Sequence, residues 1–462
     1  MDTRRGCGLG SNVVRRGRVS NVQRLAPKPT QRERLVDAMI EVSAQAGYQD
    51  VSIAQVSSHA GVSSATFYQQ FDGKEDCLLA AYRAVAKRVF GQMPPVVVGD
   101  GDWSDAANVA LSALLSALQS NLDAGRVLFI EARAAGPRLR EEHKRVVEAF
   151  ELRAEEFLQS APRDGETLDV PVAALVGAVR SIVSRHLRTH AEDDLPLLLE
   201  DMLTWMGSYA IPAGQVRWST GPHALLPVAQ EPSPAPGARA PARLPRGRHG
   251  LPAGVVARSQ RTRIIYGTAE VMMAKGYANA TVTDIVAAAG ISRDVFYQHF
   301  TNKQHAFLEA QQHSTQNILD ACAAAYFTAE DWPERLWNGL ELLIGLIAEH
   351  PALSRLRLVE CYAAGPAAIR RAEEITRSFT IFLEEGYGYR PQARGLPRLC
   401  SQAISGAIFE PIQRHIARGN AAALPRRLPQ LAYIAIAPFT GPEEAIELVE
   451  QISARHLDTA GS

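Results

Sequence analysis

The strongest constraint on this chain is that most of it occurs twice. The stretch QRERLVDAMIEVSAQAGYQDVSIAQVSSHAGVSSATFYQQFDGKEDCLLA from Gln31 aligns without a gap on QRTRIIYGTAEVMMAKGYANATVTDIVAAAGISRDVFYQHFTNKQHAFLE from Gln260. Gly47 meets Gly276, Gly61 meets Gly290, Phe67 meets Phe296 and Lys74 meets Lys303, each 229 positions apart. The same offset pairs Trp103 with Trp332, Glu131 with Glu360, Pro137 with Pro366 (both closing Ala-Ala-Gly-Pro) and Arg185-His186 with Arg414-His415. An offset kept over that length means that a whole folding unit was duplicated. Two units of this size are a pair of domains, since a solenoid needs many short repeats. A length of 462 residues agrees, because it exceeds what one core ordinarily serves.

Lys+Arg and Asp+Glu balance at 49 each, so any basic surface must come from local segregation of charge. Within 31–90 there are six basic and seven acidic residues, and this segment is not basic as a whole. Five scattered cysteines (Cys7, Cys77, Cys322, Cys361, Cys400) form neither a C-x-x-C pair nor zinc-like spacing, which argues against a disulfide framework and fits a reducing cytoplasm. No apolar run approaches the roughly 20 residues of a membrane span, and the arginine-bearing start has no apolar segment behind it to make a secretory signal. The expectation is a cytoplasmic protein without a membrane partner.

Three segments fall outside the copies. Residues 1–29 carry six arginines and Lys28 against Asp2 alone and read as a disordered basic arm. Residues 213–257, rich in Pro, Ala, Gly and Arg, read as a semi-rigid linker, and the last few residues as frayed. Inside each copy the apolar spacing is helical. Leu35, Met39 and Val42 stand at i, i+4, i+7, as do Ile265, Ala269 and Met272. The first helix stops at Gly47 or Gly276. Ser52 or Thr281 caps a short second helix, which ends at Ala60-Gly61 or Ala289-Gly290, and Ser63 or Ser292 caps a third. Helix, glycine turn and helix make a helix-turn-helix, whose third helix packs Phe67 and Phe71, or Phe296 and Phe300, inward. Its remaining faces are free to lie in a DNA major groove.

The run from Ser or Thr before helix two, through A-G-[VI]-S and F-Y-x-x-F to a lysine three residues on, resembles the signature of the TetR family. It covers about 50 residues in each copy, and the helical halves downstream extend the likeness to most of the chain. The resemblance implies an all-α fold of two tandem modules, each a three-helix head followed by a helical effector and dimerisation domain. The boundaries are 30–90 and 91–212 for the first module, 258–320 and 321–455 for the second. It implies that Tyr68, Tyr297, Lys74 and Lys303 meet phosphates, and that Ser64, Ala65 and Thr66, or Arg293, Asp294 and Val295, face bases. The capping residues Ser52, Ser63, Thr281 and Ser292, together with His299, complete the expected DNA-binding set. Where the family has Gly-Thr, this chain has Ala65-Thr66 and Asp294-Val295, and Gln70 stands where the second copy keeps His299. A carboxylate at Asp294 accepts from a cytosine amine or repels phosphate. The alternative to two readers is therefore a second module kept for ligand sensing or protein interaction.

The expected partners are an operator in duplex DNA and a small-molecule effector that releases a repressor, the two modules pairing within the chain or between two chains. Intrachain pairing would set unlike heads side by side, on an imperfect palindrome. Effector residues are not separable from core by periodicity. No cofactor, metal or catalytic constellation is expected. His186 and His190 have ligand spacing but Gly419 faces His190 in the repeat, and no third ligand is suggested. Glu131 and Glu360 either orient an effector or close a helix-terminal hydrogen bond, and Gly136-Pro137 and Gly365-Pro366 end helices.

Overall fold

The computed structural model describes residues 29–94, 102–159, 165–189, 192–226, 242 and 251–460. The expected basic arm, most of the linker and His190 lie outside them. The first module runs α1 (Gln31–Ala46), α2 (Ile53–His59), α3 (Ser64–Gln70), α4 (Lys74–Gln92), α5 (Trp103–Gln119) and α6 (Leu122–Arg126). A π-helical turn, Val127–Glu131, then leads to α7 (Ala132–Ala134), α8 (Pro137–Gln159), α9 (Val172–Thr189) and α10 (Leu198–Gly207). The second runs α11 (Ala253–Asn279), α12 (Val282–Ala289), α13 (Arg293–His299), α14 (Lys303–Tyr326), α15 (Trp332–Glu349), α16 (Pro351–Leu358) and α17 (Pro366–Ser378), and continues with α18 (Gly386–Tyr389), α19 (Leu399–Ala417), α20 (Leu428–Thr440) and α21 (Pro442–Ala460). A two-stranded antiparallel ribbon, Glu166–Leu168 with Ala210–Pro212, is an addition to the expected all-α fold.

Each head is held by the same devices. Thr30, Ser52 and Thr281 form reciprocal capping boxes with Glu33, Gln55 and Asp284. Gly61 and Gly290 take φ of 63° and 60° at the turn, a conformation that a Cβ resists. Arg34 donates to the Ala60 carbonyl (3.1 Å), and its counterpart Arg263 donates to Ala289 and Gly290. The cation thus covers carbonyls that the end of a helix leaves open. In the second head a Cβ on Gly267 would stand 2.8 Å from the Ala289 nitrogen, so α11 and α12 cross at backbone contact.

The bodies pack together through equivalent helices. α9 lies along α19, touching at Gly177 and Gly406, where a Cβ would stand 2.7 Å from Glu410 Cβ and 2.6 Å from Ser181 Cβ. One continuous apolar core takes in both bodies and the first head, and the second head has a core of its own. Residues 213–226, expected to open the linker, are folded onto the second body. Trp218 is buried with its indole Nε1 on Glu450 (2.9 Å), Asp169 accepts the N–H groups of Trp218 and Ser219, and the Leu226 N–H reaches the Arg426 carbonyl (2.8 Å). The reason is local: a tryptophan and two short 3-10 turns supply apolar area that the Pro- and Arg-rich stretch after 226 lacks. Likewise α11 begins at Ala253, ahead of the expected 258.

Candidate functional site

Each third helix presents one face to solvent. Ser63, Ser64, Ala65, Tyr68 and Gln69 are exposed on α3, as are Ser292, Arg293, Asp294, Tyr297 and Gln298 on α13. Phe67, Phe71, Phe296 and Phe300 are buried beneath them, and Tyr68 and Tyr297 stand edge-on to Phe67 and Phe296. The two tyrosines are 61% and 48% exposed, a large apolar ring left in water twice at one register. Thr66 and Val295 are half-buried, and their N–H groups are taken by the caps Ser63 and Ser292. Ser52 and Thr281 likewise spend their hydroxyls on Gln55 and Asp284. His299 is half-buried beside Gln260, and burial lowers its pKa. Gln69 and Gln298 were missed from sequence, although they stand four residues beyond Ala65 and Asp294 and so share their face.

Lys74 and Lys303, expected on phosphates, turn their ammonium groups to the loop before α2 or α12. The Lys74 ammonium donates to the carbonyls of Tyr48 (2.9 Å), Gln49 (3.2 Å) and Val51 (2.9 Å), which takes all three of its protons. Lys303 donates to Tyr277 (2.8 Å) and Ala280 (2.9 Å), and each ammonium lies over the ring of that tyrosine, at 4.4 and 4.3 Å. Burial lowers both lysine pKa values. From the other side, the Tyr48 N–H is accepted by Glu131 (2.7 Å) and the Tyr277 N–H by Glu360 (2.9 Å). Of the two roles open for these glutamates, they take the helix-terminal hydrogen bond. Tyr48 and Tyr277 thus each tie head, α4 or α14, and body together through their own backbone groups, and Gln49 adds a hydrogen bond to the Ala134 carbonyl in the first module.

The first body holds a cavity of about 110 Å³, lined by Leu111, Leu114, Phe150 and Val179 among other apolar side chains. Leu128 and Phe129 of its wall lie on the same π-helical turn as Glu131. One end is polar and carries a buried relay. Tyr82 Oη lies 2.9 Å from His143 Nδ1, Arg180 Nη2 donates to His143 Nε2 (2.9 Å), and Arg180 Nη1 donates to Glu410 of the second module (2.6 Å). Since Nε2 accepts, Nδ1 carries the proton and the ring is neutral. Burial first, then Arg180 and Arg133, hold the His143 pKa well below its usual value. In the repeat this relay reads Gln311, Ala372, Phe409 and Ser181, and it is absent. The corresponding space in the second body is about 40 Å³, narrowed by Leu336, Phe382, Leu383 and Phe409. Among the described residues no group of His, Cys, Asp and Glu could hold a metal, and no helix is long and apolar enough to cross a membrane.

Comparison with known proteins agrees with the heads. A family model described as "Bacterial regulatory proteins, tetR family" matches residues 35–81 and again 264–310. The chain is 24% identical over 184 residues to the HTH-type transcriptional activator FasR of Mycolicibacterium smegmatis, covering 40% of this chain and 68% of that protein. It is 22% identical over 174 residues to the fatty acid metabolism regulator protein of Bacillus subtilis, covering 37% of this chain and 90% of that protein. A solved structure of FadR from Bacillus subtilis in complex with stearoyl-CoA aligns with a TM-score of 0.33 at 18% identity, over 37% of this chain and 96% of that one.

Proposed function

Because this chain belongs to the TetR family of DNA-binding, ligand-responsive transcriptional regulators, with two modules in tandem, we propose that it works as a single-chain pseudo-dimer: a repressor released from its operator by a long-chain acyl effector. The observation that carries this reading is the packing of α9 on α19. Equivalent helices of the two bodies meet there, so one chain holds two reading heads on one frame. The reading gives Ser64, Ala65, Tyr68 and Gln69 to one half-site, and Arg293, Asp294, Tyr297 and Gln298 to the other. Tyr68 and Tyr297 meet phosphate, while Lys74 and Lys303 hold the loop that aims each head. Unlike tips call for unlike half-sites.

The effector enters the first body. Its almost wholly apolar wall, which Tyr82, His143 and Arg180 close at one end, suits an acyl chain. The fatty acid regulator of Bacillus subtilis and the stearoyl-CoA in the FadR structure suggest the same chemistry. Filling the cavity presses on Leu128 and Phe129, one turn from the Glu131 carboxylate that holds Tyr48. The population then shifts toward a head position that the operator fits less well, provided the ligand favours that position.

The test is selection of bound fragments from random duplex DNA at about 0.15 M salt, where sequence-blind binding is suppressed. A bipartite site with unlike halves, released on adding an acyl-CoA, supports the reading. A perfect palindrome would mean identical heads pairing between chains. Transcription from a template bearing the selected site fixes the sign, since increased transcript makes the protein an activator.

A further inference from the structure

Building on the reading of α9 and α19 as the pairing surface, we infer that the two faces are matched to each other and mismatched to themselves, so that each module refuses a second copy of its own kind. Among the described residues, four ion pairs cross between the bodies: Arg180 to Glu410, Arg188 to Glu373, Arg414 to Glu151 and Arg418 to Glu148. The Arg133 guanidinium also lies 3.9 Å from the centre of the Tyr362 ring. Arg133 and Tyr362 are equivalent positions in the repeat, so that contact sits on the axis relating the two bodies.

The repeat tells what each contact becomes if a face meets its own copy. Two first modules would set Arg133 against Arg133 on the axis and Arg188 against Lys144, and Arg180 would find only Ser181. Glu151 with Arg185 is the one attraction that survives. Two second modules would set Arg418 against Arg377, press the Glu410 carboxylate on Phe409, and leave Glu373 facing Ala417 and Arg414 facing Thr380. None of the four ion pairs survives. Arg180 is 9% exposed, and placing it or Glu410 opposite a group that cannot pair with it is strongly disfavoured at a closed interface. Specificity here is the difference between a pairing with four attractions and two pairings with clashes.

The axis gives the experiment. Cysteine is introduced into the full chain as Arg133→Cys, Tyr362→Cys and both together, with Cys7→Ser to remove a competing thiol, and a short bifunctional thiol reagent is applied. Both positions line clefts between the bodies that such a reagent can enter, and Cys77, Cys322, Cys361 and Cys400 are buried. Unlike pairing predicts that either single variant gives two-chain product at the level of the starting protein, and that only the double variant cross-links. Cross-linking within one chain agrees with the pseudo-dimer as well. Two-chain product from the double variant alone keeps the matched faces and overturns the single-chain arrangement. Two-chain product from either single variant, or no cross-link in any, overturns the inference. Should cysteine on the axis prevent folding, the charge swap replaces it. Arg188→Glu and Glu373→Arg each lower the unfolding midpoint, and the double variant recovers at least about half of the loss, whereas independent effects that simply add would overturn the matching.

Discussion

The two bodies share one helical pattern and differ in what fills them. In the first, Ala107 and Ala154 leave room, α8 runs unbroken over Pro137–Gln159, and Arg180 ends the cavity with a charge. In the second, the equivalent residues are Leu336, Leu383 and Phe409. There α17 stops at Ser378, and the 3-10 turn after it directs Phe379 and Phe382 inward, at 5.6 Å from Phe409 to Phe379 and 6.0 Å between the two. A few substitutions of small by large side chains, and one broken helix, make a room of one body and a packed core of its twin. The lesson is that a duplicated fold keeps its frame through caps, glycine turns and helix crossings, while its interior volume is set by a handful of side chains.

The largest test of this contrast removes the acidic end of the relay. Glu410→Ala leaves the Arg180 guanidinium buried without a counter-charge and is expected to destabilise the chain by about 3–5 kcal/mol in denaturant unfolding. Its repeat counterpart, Ser181→Ala, should stay within about 0.5 kcal/mol. Equal losses from the two would erase the asymmetry. Cavity filling comes next. Leu111→Trp occupies the first cavity and should abolish release by an acyl-CoA while leaving operator affinity intact, as read by fluorescence anisotropy of labelled DNA. Leu340→Trp, the same change in the second body, meets a space already narrowed and should cost about 1–3 kcal/mol in stability through overpacking, with release unaffected. Release surviving Leu111→Trp and lost in Leu340→Trp would move the effector to the other module.

A third test uses pH. His143 is neutral in the folded protein and its pKa is depressed, so the unfolded chain binds the proton more readily. Stability then rises with pH between the folded value and the unfolded value near 6.5, and it falls as pH drops below about 6.5 by about 1.4 kcal/mol per unit for one proton. His143→Phe should flatten that slope. The second body has Ala372 at this place and offers no counterpart, so an unchanged slope would assign the titration elsewhere.

Much of this architecture was legible in the sequence because its signals are local. Ser52, Thr281, Ser63 and Ser292 announce helix starts by their own hydroxyls, Gly61 and Gly290 mark a turn by the missing Cβ, and the constant offset exposes the duplication. The features that were not legible depend on contacts between distant segments. Lys74 reads as a phosphate ligand by its place at the start of α4. That three carbonyls of the preceding loop already claim its ammonium is visible only in the folded path of residues 48–51. The relay joins α4, α8, α9 and α19, and no periodicity links Tyr82 to Glu410 across the chain. The strap at 213–226 was hidden by the Pro- and Arg-rich composition of the neighbouring stretch, though Trp218 was a signal that could have found it.

The smallest effects separate the two heads. Tyr68→Phe removes one hydroxyl from the exposed face of α3 and should weaken binding to every sequence alike by about 1 kcal/mol, with the unfolding midpoint unchanged, because the ring keeps its contact with Phe67. Tyr297→Phe should do the same if the second head sits on phosphate. Arg293 is exposed at the tip of α13, with its guanidinium 5.8 Å from the Tyr297 ring, and Arg293→Ala should change base preference in one half-site and leave the other as it was. Selection of sites with each variant reads both effects. If Tyr297→Phe and Arg293→Ala leave affinity and the selected site unchanged while Tyr68→Phe does not, the first head alone reads DNA. Asp294, beside Arg293 on the same exposed tip, is then the group to change next, since Asp294→Ala would remove the charge that repels the phosphates.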